Sequence, residues 1–310
     1  MGRNFLASLV FGIAVCGSAV VADPRIFSHD GLDRIVWVGD GRIDTSAPAP
    51  LVIALHGYRN PSEADALRKD PSRLAWPDLH ALGVRHGFVA LYPAAYRGQW
   101  SLFDGLSHAQ QDDGTPIDDE GFLLSLVDQF VADGIADPSA IYLTGISDGA
   151  IMTYRMICLP RTPFAAAAPL IGTAFAAHLE NCAPGLPPAL MHVHGTDDRV
   201  LPYDGWIFAS GREVSVPEVT EHFRTLHGCI GQERQMLENL DPNDGSRVEE
   251  MTWTGCTRDG AVLSYKVIGG GHDVPDIDAV QPDEGQKTNR DLDTMSVMWT
   301  FFQANPSSDQ

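Results

Sequence analysis

Ile141-Tyr-Leu-Thr-Gly-Ile-Ser147-Asp-Gly-Ala-Ile-Met-Thr-Tyr154 runs from a short β-branched and apolar segment into an apolar helical pattern. Between the two stands Gly145-x-Ser147-x-Gly149, the spacing of a nucleophile elbow. A strand that turns abruptly into a helix holds its central residue at a strained backbone angle, and only small neighbours avoid collision there. Such a turn lifts the Ser147 hydroxyl above the sheet edge, with a helix N-terminus behind it to favour developing negative charge. The same pentapeptide also fits an ordinary glycine-flanked turn. The remainder of the chain decides between the two readings, because a nucleophile needs a base, an acid and an oxyanion hole.

Working outward, Leu51-Val-Ile-Ala-Leu55 and Gly87-Phe-Val-Ala-Leu-Tyr92 are continuous apolar runs, the pattern of parallel strands covered on both faces. Arg34–Val38, Ala140–Leu143, Phe164–Ile171, Pro188–His194, Arg247–Thr254 and Val262–Ile268 read as further strands. Helical patterns lie at Trp76–His86, Asp118–Ala132, the segment after Ser147, Pro217–His227 and Asp291–Phe302. The alternation predicts an α/β fold, a mostly parallel sheet with helices on both faces. Residues 94–116 read as a loop carrying Tyr96, Trp100 and Phe103, and a loop of that length is usually functional or mobile. Residues 23–33 and the tail after Ala304 are expected to be disordered.

The base candidate is His272 in Gly269-Gly-Gly-His272-Asp273, just past the Val262–Ile268 run, where three glycines let a loop bend an imidazole over a neighbouring turn. The acid candidate lies in His194-Gly-Thr-Asp197-Asp198-Arg-Val-Leu-Pro-Tyr203, and spacing does not choose between Asp197 and Asp198. A carboxylate there holds the imidazole in the right tautomer. Each candidate follows a separate strand in the order Ser–Asp–His, which is the α/β-hydrolase order and not that of the two best-known protease arrangements. For the oxyanion hole, one backbone N–H is expected from Asp148, directly after the nucleophile, and the other from about Tyr58, behind His56-Gly57.

Leu55-His56-Gly57, Gly145-Ile-Ser147-Asp-Gly149, His194-Gly-Thr-Asp-Asp198-x-x-x-Pro202-Tyr203 and Gly270-Gly-His272 together resemble the exported polyhydroxybutyrate depolymerase and feruloyl/acetylxylan esterase family of α/β-hydrolases. The resemblance runs from about residue 34 to 303. It implies an α/β-hydrolase fold without a large lid and a serine carboxylesterase acting through an acyl-enzyme on a polyester oligomer or a plant cell-wall ester. It selects Asp198 as the acid and gives Trp100 a place on the substrate side. The chain departs from the pattern at Tyr58, where small residues or cysteine are frequent, and at Asp273-Val274-Pro275, where Thr-Trp-Pro is common.

Arg3 followed by the apolar Phe5–Val15 and the small residues up to Ala22 reads as a secretory signal cleaved after Ala22, which predicts a protein that is secreted, whether extracellular or periplasmic. The apolar run is too short to span a bilayer comfortably. The remaining residues, 23–310, are expected to form a single catalytic domain. Losing Arg3, the one charged residue of the leader, takes the formal net charge from −20 to −21. So acidic a surface argues against nucleic acid and anionic membranes as partners. The mature chain is expected to be a monomer.

Five cysteines become four, Cys158, Cys182, Cys229 and Cys256, and an even count in an exported chain favours disulfides. The pairing that closes the shortest loops is Cys158–Cys182 with Cys229–Cys256. The esterase reading requires no cofactor and no metal. Two rival readings remain: a metal-dependent hydrolase using His192 and His194, which share a strand face, with His56, and a non-catalytic binding protein on a hydrolase scaffold.

Overall fold

In the computed structural model, which describes residues 22–42, 45–103, 110–111, 113–182, 187–208, 211–258, 261–281 and 287–307, the apolar runs become the centre of one ten-stranded sheet. Its strands are β1 (Ala22–His29), β2 (Leu32–Asp40), β3 (Ala49–Leu55), β4 (Val89–Pro93), β5 (Ala136–Ile146), β6 (Ala166–Leu170), β7 (Ala189–Gly195), β10 (Gly231–Met236), β11 (Arg247–Thr254) and β12 (Val262–Ile268). The spatial order is β1-β2-β4-β3-β5-β6-β7-β12-β11-β10. Strands β4, β3, β5, β6, β7 and β12 run parallel to one another, and antiparallel pairs close both edges. Every residue of β4, β6 and β7 is buried. Because successive side chains point to opposite faces, both faces of the central sheet are covered.

The covering helices are α1 (Pro61–Lys69), α2 (Pro77–His86), α3 (Asp119–Ala132), α4 (Asp148–Ile157), α5 (Ala176–Glu180), α6 (Val216–Leu226) and α7 (Thr294–Ala304). A two-stranded hairpin, β8 (Trp206–Phe208) and β9 (Gly211–Glu213), is inserted between β7 and α6. The expected strands at 247–254 and 262–268 coincide with β11 and β12.

Three segments differ from expectation. Residues 23–33 are not disordered: they form β1 and its turn into β2, with Asp30 (φ 47°) and Gly31 (φ 76°) at the corner. Asp-Gly is a preferred pair for a two-residue hairpin turn, since both positions need positive φ. Beyond Ala304 the chain is also held, by a hydrogen bond from Ser307 N–H to Ser139 O at 2.8 Å. Helix α1 follows directly on the turn-rich His56–Pro61 segment, started by a capping box in which Asn60 and Glu63 satisfy each other's backbone donors. The leader expected at residues 1–22 lies, up to residue 21, outside the described residues.

The loop after β4 is anchored from below. Arg34 on β2 and Asp119 on α3 form a buried ion pair at 2.5 Å, and the second oxygen of Asp119 accepts Ser101 N–H at 2.7 Å. A buried pair of this kind fixes geometry more than it adds stability. It holds Trp100 against the end of β3. Cys158 is bonded to Cys182 and Cys229 to Cys256, tying α4 to the end of α5 and α6 to the end of β11.

Candidate active site

Ser147 sits between β5 and α4 with φ 57° and ψ −120°, a region that non-glycine residues occupy only when their surroundings impose it. The surroundings are visible at its flanks. A Cβ on Gly145 would lie 2.1 Å from Gly149 O, and a Cβ on Gly149 would lie 2.3 Å from Leu55 O. Both glycines are therefore dictated by backbone packing, and the hydroxyl is presented at the N-terminus of a ten-residue helix.

The loops after β7 and β12, neighbours in the sheet, lock together. Asp197 N–H donates to Gly270 O at 2.8 Å, and a Cβ on Gly195 would lie 2.2 Å from that same oxygen. This close approach carries His272 over the elbow. Its Nε2 is 3.0 Å from Ser147 Oγ, and its Nδ1 is 2.7 Å from Asp198 Oδ2. Asp197 is exposed, its carboxylate accepting the Thr196 hydroxyl at 3.1 Å, whereas Asp198 is 4% exposed. The other oxygen of Asp198 accepts the N–H groups of Val200 (2.8 Å) and Leu201 (2.9 Å). Burial alone would raise its pKa, but hydrogen bonds from His194, His272 and Leu201 N–H outweigh burial and hold the carboxyl well below the usual carboxylate range.

The turn after β3 passes against the nucleophile: a Cβ on Gly57 would be 3.1 Å from Ser147 Cβ and 3.7 Å from its Oγ. Tyr58 follows immediately, and Asp148 opens α4 on the other side. His56 supports this turn. Its Nδ1 lies 2.6 Å from Gly57 O and its Nε2 accepts Ala95 N–H at 3.0 Å, while burial lowers its pKa to about 4, so the ring is neutral. Trp100, 1% exposed, donates its indole N–H to His56 O at 2.8 Å.

Beside Ser147 opens a cleft of about 210 Å³, bordered by Tyr58, Trp100, Phe103, Phe175, Phe208 and Asp148 among others. Phe103 and Phe175 meet edge to face at 4.2 Å between centroids. Trp100 is thus part of the cleft floor, with almost no surface of its own. A larger cavity of about 360 Å³ lies behind β5 between α2 and α7, walled by Asp78, Asp276, Asp278 and Asp293, and includes none of Ser147, Asp198 and His272.

No family model matches the chain. It is 29% identical to the probable feruloyl esterase C of Aspergillus niger over 83% of this chain and 82% of that protein. It is 35% identical to poly(3-hydroxyalkanoate) depolymerase C of Paucimonas lemoignei over 41% of this chain and 28% of that one. Among solved structures, the acetyl xylan esterase from Aspergillus awamori superposes with a TM-score of 0.54 at 16% identity, covering 82% of this chain and 95% of that one. The chain has the α/β-hydrolase fold and is a serine ester hydrolase. Its relatives are the feruloyl esterase, acetylxylan esterase and polyhydroxyalkanoate depolymerase group to which its motifs point.

The rival metal ligands are differently employed in this esterase. His192 Nδ1 pairs with Tyr154 Oη at 2.8 Å, and His194 Nε2 faces Leu201 O at 2.8 Å. Burial, and then the neighbouring His194, push the pKa of His192 well down. Among the described residues, the group of three potential ligands within 4.8 Å of one another is His29, Asp30 and Asp118, not His56, His192 and His194.

Sequence reasoning missed His194 as a partner of Asp198, Glu213 as a buried carboxyl, and Phe175 and Phe208 as cleft walls. Glu213 is 1% exposed, one oxygen accepting Thr173 N–H at 3.3 Å and the other buried without a partner. The three-residue hairpin strands that carry Phe208 and Glu213 are too short to give a periodic signal.

Proposed function

We propose that Ser147, His272 and Asp198 form the catalytic triad of a carboxylic ester hydrolase. The observation that carries this reading is the continuous pair of contacts Ser147 Oγ–His272 Nε2 (3.0 Å) and His272 Nδ1–Asp198 Oδ2 (2.7 Å). His272 accepts the Ser147 proton as Oγ attacks the ester carbonyl, and the alcohol leaves with that proton. Water then attacks the acyl-enzyme with the same imidazole as base. The backbone N–H groups of Tyr58 and Asp148 receive the developing oxyanion. The chemistry needs no cofactor.

The acyl group enters the cleft bordered by Trp100, Phe103, Phe175 and Phe208, and that aromatic lining favours a flat, aromatic acid over acetate or an aliphatic hydroxyacid. The similarity to feruloyl esterase C agrees with this preference. Export of a single catalytic domain, residues 23–310, after cleavage at Ala22 fits the two disulfides. Among the described residues no helix is long and apolar enough to cross a membrane. The mature chain acts as a monomer on its ester substrate.

A serine-directed fluorophosphonate tests the triad. Labelling of the wild type that is lost in Ser147→Ala is expected; unlabelled, EDTA-sensitive hydrolysis would overturn the reading in favour of a metal site, and neither labelling nor hydrolysis would favour a binding protein. Methyl ferulate, an acetylated sugar and 3-hydroxybutyrate oligomers, assayed side by side, rank the acyl groups, with ferulate expected to show the highest kcat/KM.

A further inference from the structure

We propose that His194 is a positioning residue that sets the orientation and basicity of Asp198, and through it the proton affinity of His272. This rests on the triad reading above. Leu201 O can only accept, so the His194 Nε2 lying 2.8 Å from it carries a proton. The same nitrogen is 3.3 Å from Asp198 Oδ2, so the N–H that is aimed at the carbonyl also places its positive end beside the carboxylate. Oδ2 is also the oxygen that faces His272 Nδ1 at 2.7 Å. One carboxylate oxygen therefore serves two imidazoles. The Leu201 peptide closes the ring, accepting from His194 through its carbonyl and donating to Asp198 Oδ1 through its N–H.

His194 is fully buried and its ring is held on two sides. It stacks on His192 at 5.4 Å and takes the edge of Tyr203 at 6.0 Å between centroids. Packing alone does not account for an imidazole here, because its Nδ1 is buried without a hydrogen-bond partner, a cost an apolar side chain would avoid. The offsetting use is the donor at Nε2. The N–H dipole held beside Oδ2 offsets part of the negative charge on the oxygen that stabilises His272 as an imidazolium. Without it, Asp198 acts on His272 with its full charge, and the protonated imidazole is favoured.

The ionisable groups around this ring are few. His192 shares its strand; Lys266, opposite His194 in register on β12, lies over the Tyr203 ring; Asp198 and His272 are its direct line to Ser147. Glu213 lies near enough to Asp198 for their charges to interact, and Asp148 acts likewise on Glu213. Burial pushes the Glu213 carboxyl up to about 7, so it titrates in the window of interest. The comparison is therefore made in a Glu213→Gln background.

The experiment compares His194→Leu, which removes the donor, with His194→Gln, which returns an N–H near the Nε2 position. The readouts are the pH profile of kcat/KM and the downfield proton resonance of the His272–Asp198 hydrogen bond. In His194→Leu we expect kcat to fall about tenfold at unchanged KM and the acid limb to move up by about half a pH unit, with the resonance displaced. His194→Gln restores both. An acid limb and resonance unmoved in folded His194→Leu would overturn the proposal, as would equal losses in both variants without a limb shift. If His194→Leu does not fold, His194→Asn, whose amide stops short of the Nε2 position, takes its place under the same criteria. Labelling independent of Ser147 would instead overturn the triad reading itself, so the two failures are distinguishable.

Discussion

Replacing Glu213 by glutamine should remove a pH dependence built into the fold. Glu213 lies at the end of the β8–β9 hairpin, 1% exposed, with one oxygen on Thr173 N–H and the other unpartnered. Burial is the largest influence on its carboxyl. The hydrogen bonds from Thr173 oppose it, the charges of Asp198 and Asp148 add to it, and the pKa rises from 4.5 to about 7. A group whose pKa is raised on folding binds its proton more tightly in the native state. Its contribution is complete below pH 4.5, falls as pH rises towards 7, and is gone above that. The interval corresponds to on the order of 3 kcal/mol, a sizeable share of the roughly 5–15 kcal/mol that keeps a domain folded.

Glutamine keeps an acceptor for Thr173 N–H and never ionises. Thermal melts of both proteins from pH 4.5 to 9 should therefore diverge as pH rises. Near pH 8.5 Glu213→Gln should melt roughly 5 °C above the wild type, while near pH 4.5 the two should differ little. Curves that stay parallel across the range would refute the argument, since they would mean that Glu213 has the same proton affinity folded and unfolded.

Two further outcomes are expected. Asp198→Asn preserves shape but leaves His272 Nδ1 facing an amide, so kcat should fall by on the order of 10⁴ in steady-state assays, and the melting temperature at neutral pH should fall as well, because the folded state favours the charged carboxylate. Gly149→Ala places a Cβ 2.3 Å from Leu55 O and 2.7 Å from His56 O, both backbone atoms, so the elbow and the turn after β3 must separate. The expected cost is several kcal/mol of stability together with loss of fluorophosphonate labelling; a variant with wild-type melting temperature would show that the elbow is looser than its contacts imply.

The parts of this site that could be read from the sequence are those whose chemistry is written in neighbouring residues. Gly145 and Gly149 are legible because the collisions they avoid lie within a few residues or at the adjacent strand end. His272 is legible because three glycines precede it at the end of an apolar run. The choice of Asp198 over Asp197 was not available from spacing. It depends on which of two successive carboxylates turns inward, and that is decided by the N–H groups of Val200 and Leu201, by His194 four residues upstream and by His272 on a distant segment. Apart from Trp100, which the family resemblance supplied, the cleft was illegible for the same reason on a larger scale. Trp100, Phe175 and Phe208 follow or belong to three different strands, and only the sheet order β4-β3-β5-β6-β7 brings those ends to one edge. Glu213 gave no signal at all, being a charged residue on a three-residue strand.

The misreading of residues 23–33 and the missed strand β10 have a common cause. Residues 23–33 look featureless because β1 is mostly exposed, with Phe27 packing onto the fold against Phe130 while Pro24, Arg25 and Ile26 face solvent. The Asp30-Gly31 pair was the local signal that a hairpin begins there. Strand β10, reading Gly-Gln-Glu-Arg-Gln-Met, is nearly all exposed and earns its place only through the ladder to β11. Edge strands of a sheet whose middle is covered on both faces carry no apolar obligation of their own. Their sequence therefore reports solvent exposure rather than strand formation. The central strands carry that obligation on both faces, so the architecture around Ser147 was the most legible part of the chain.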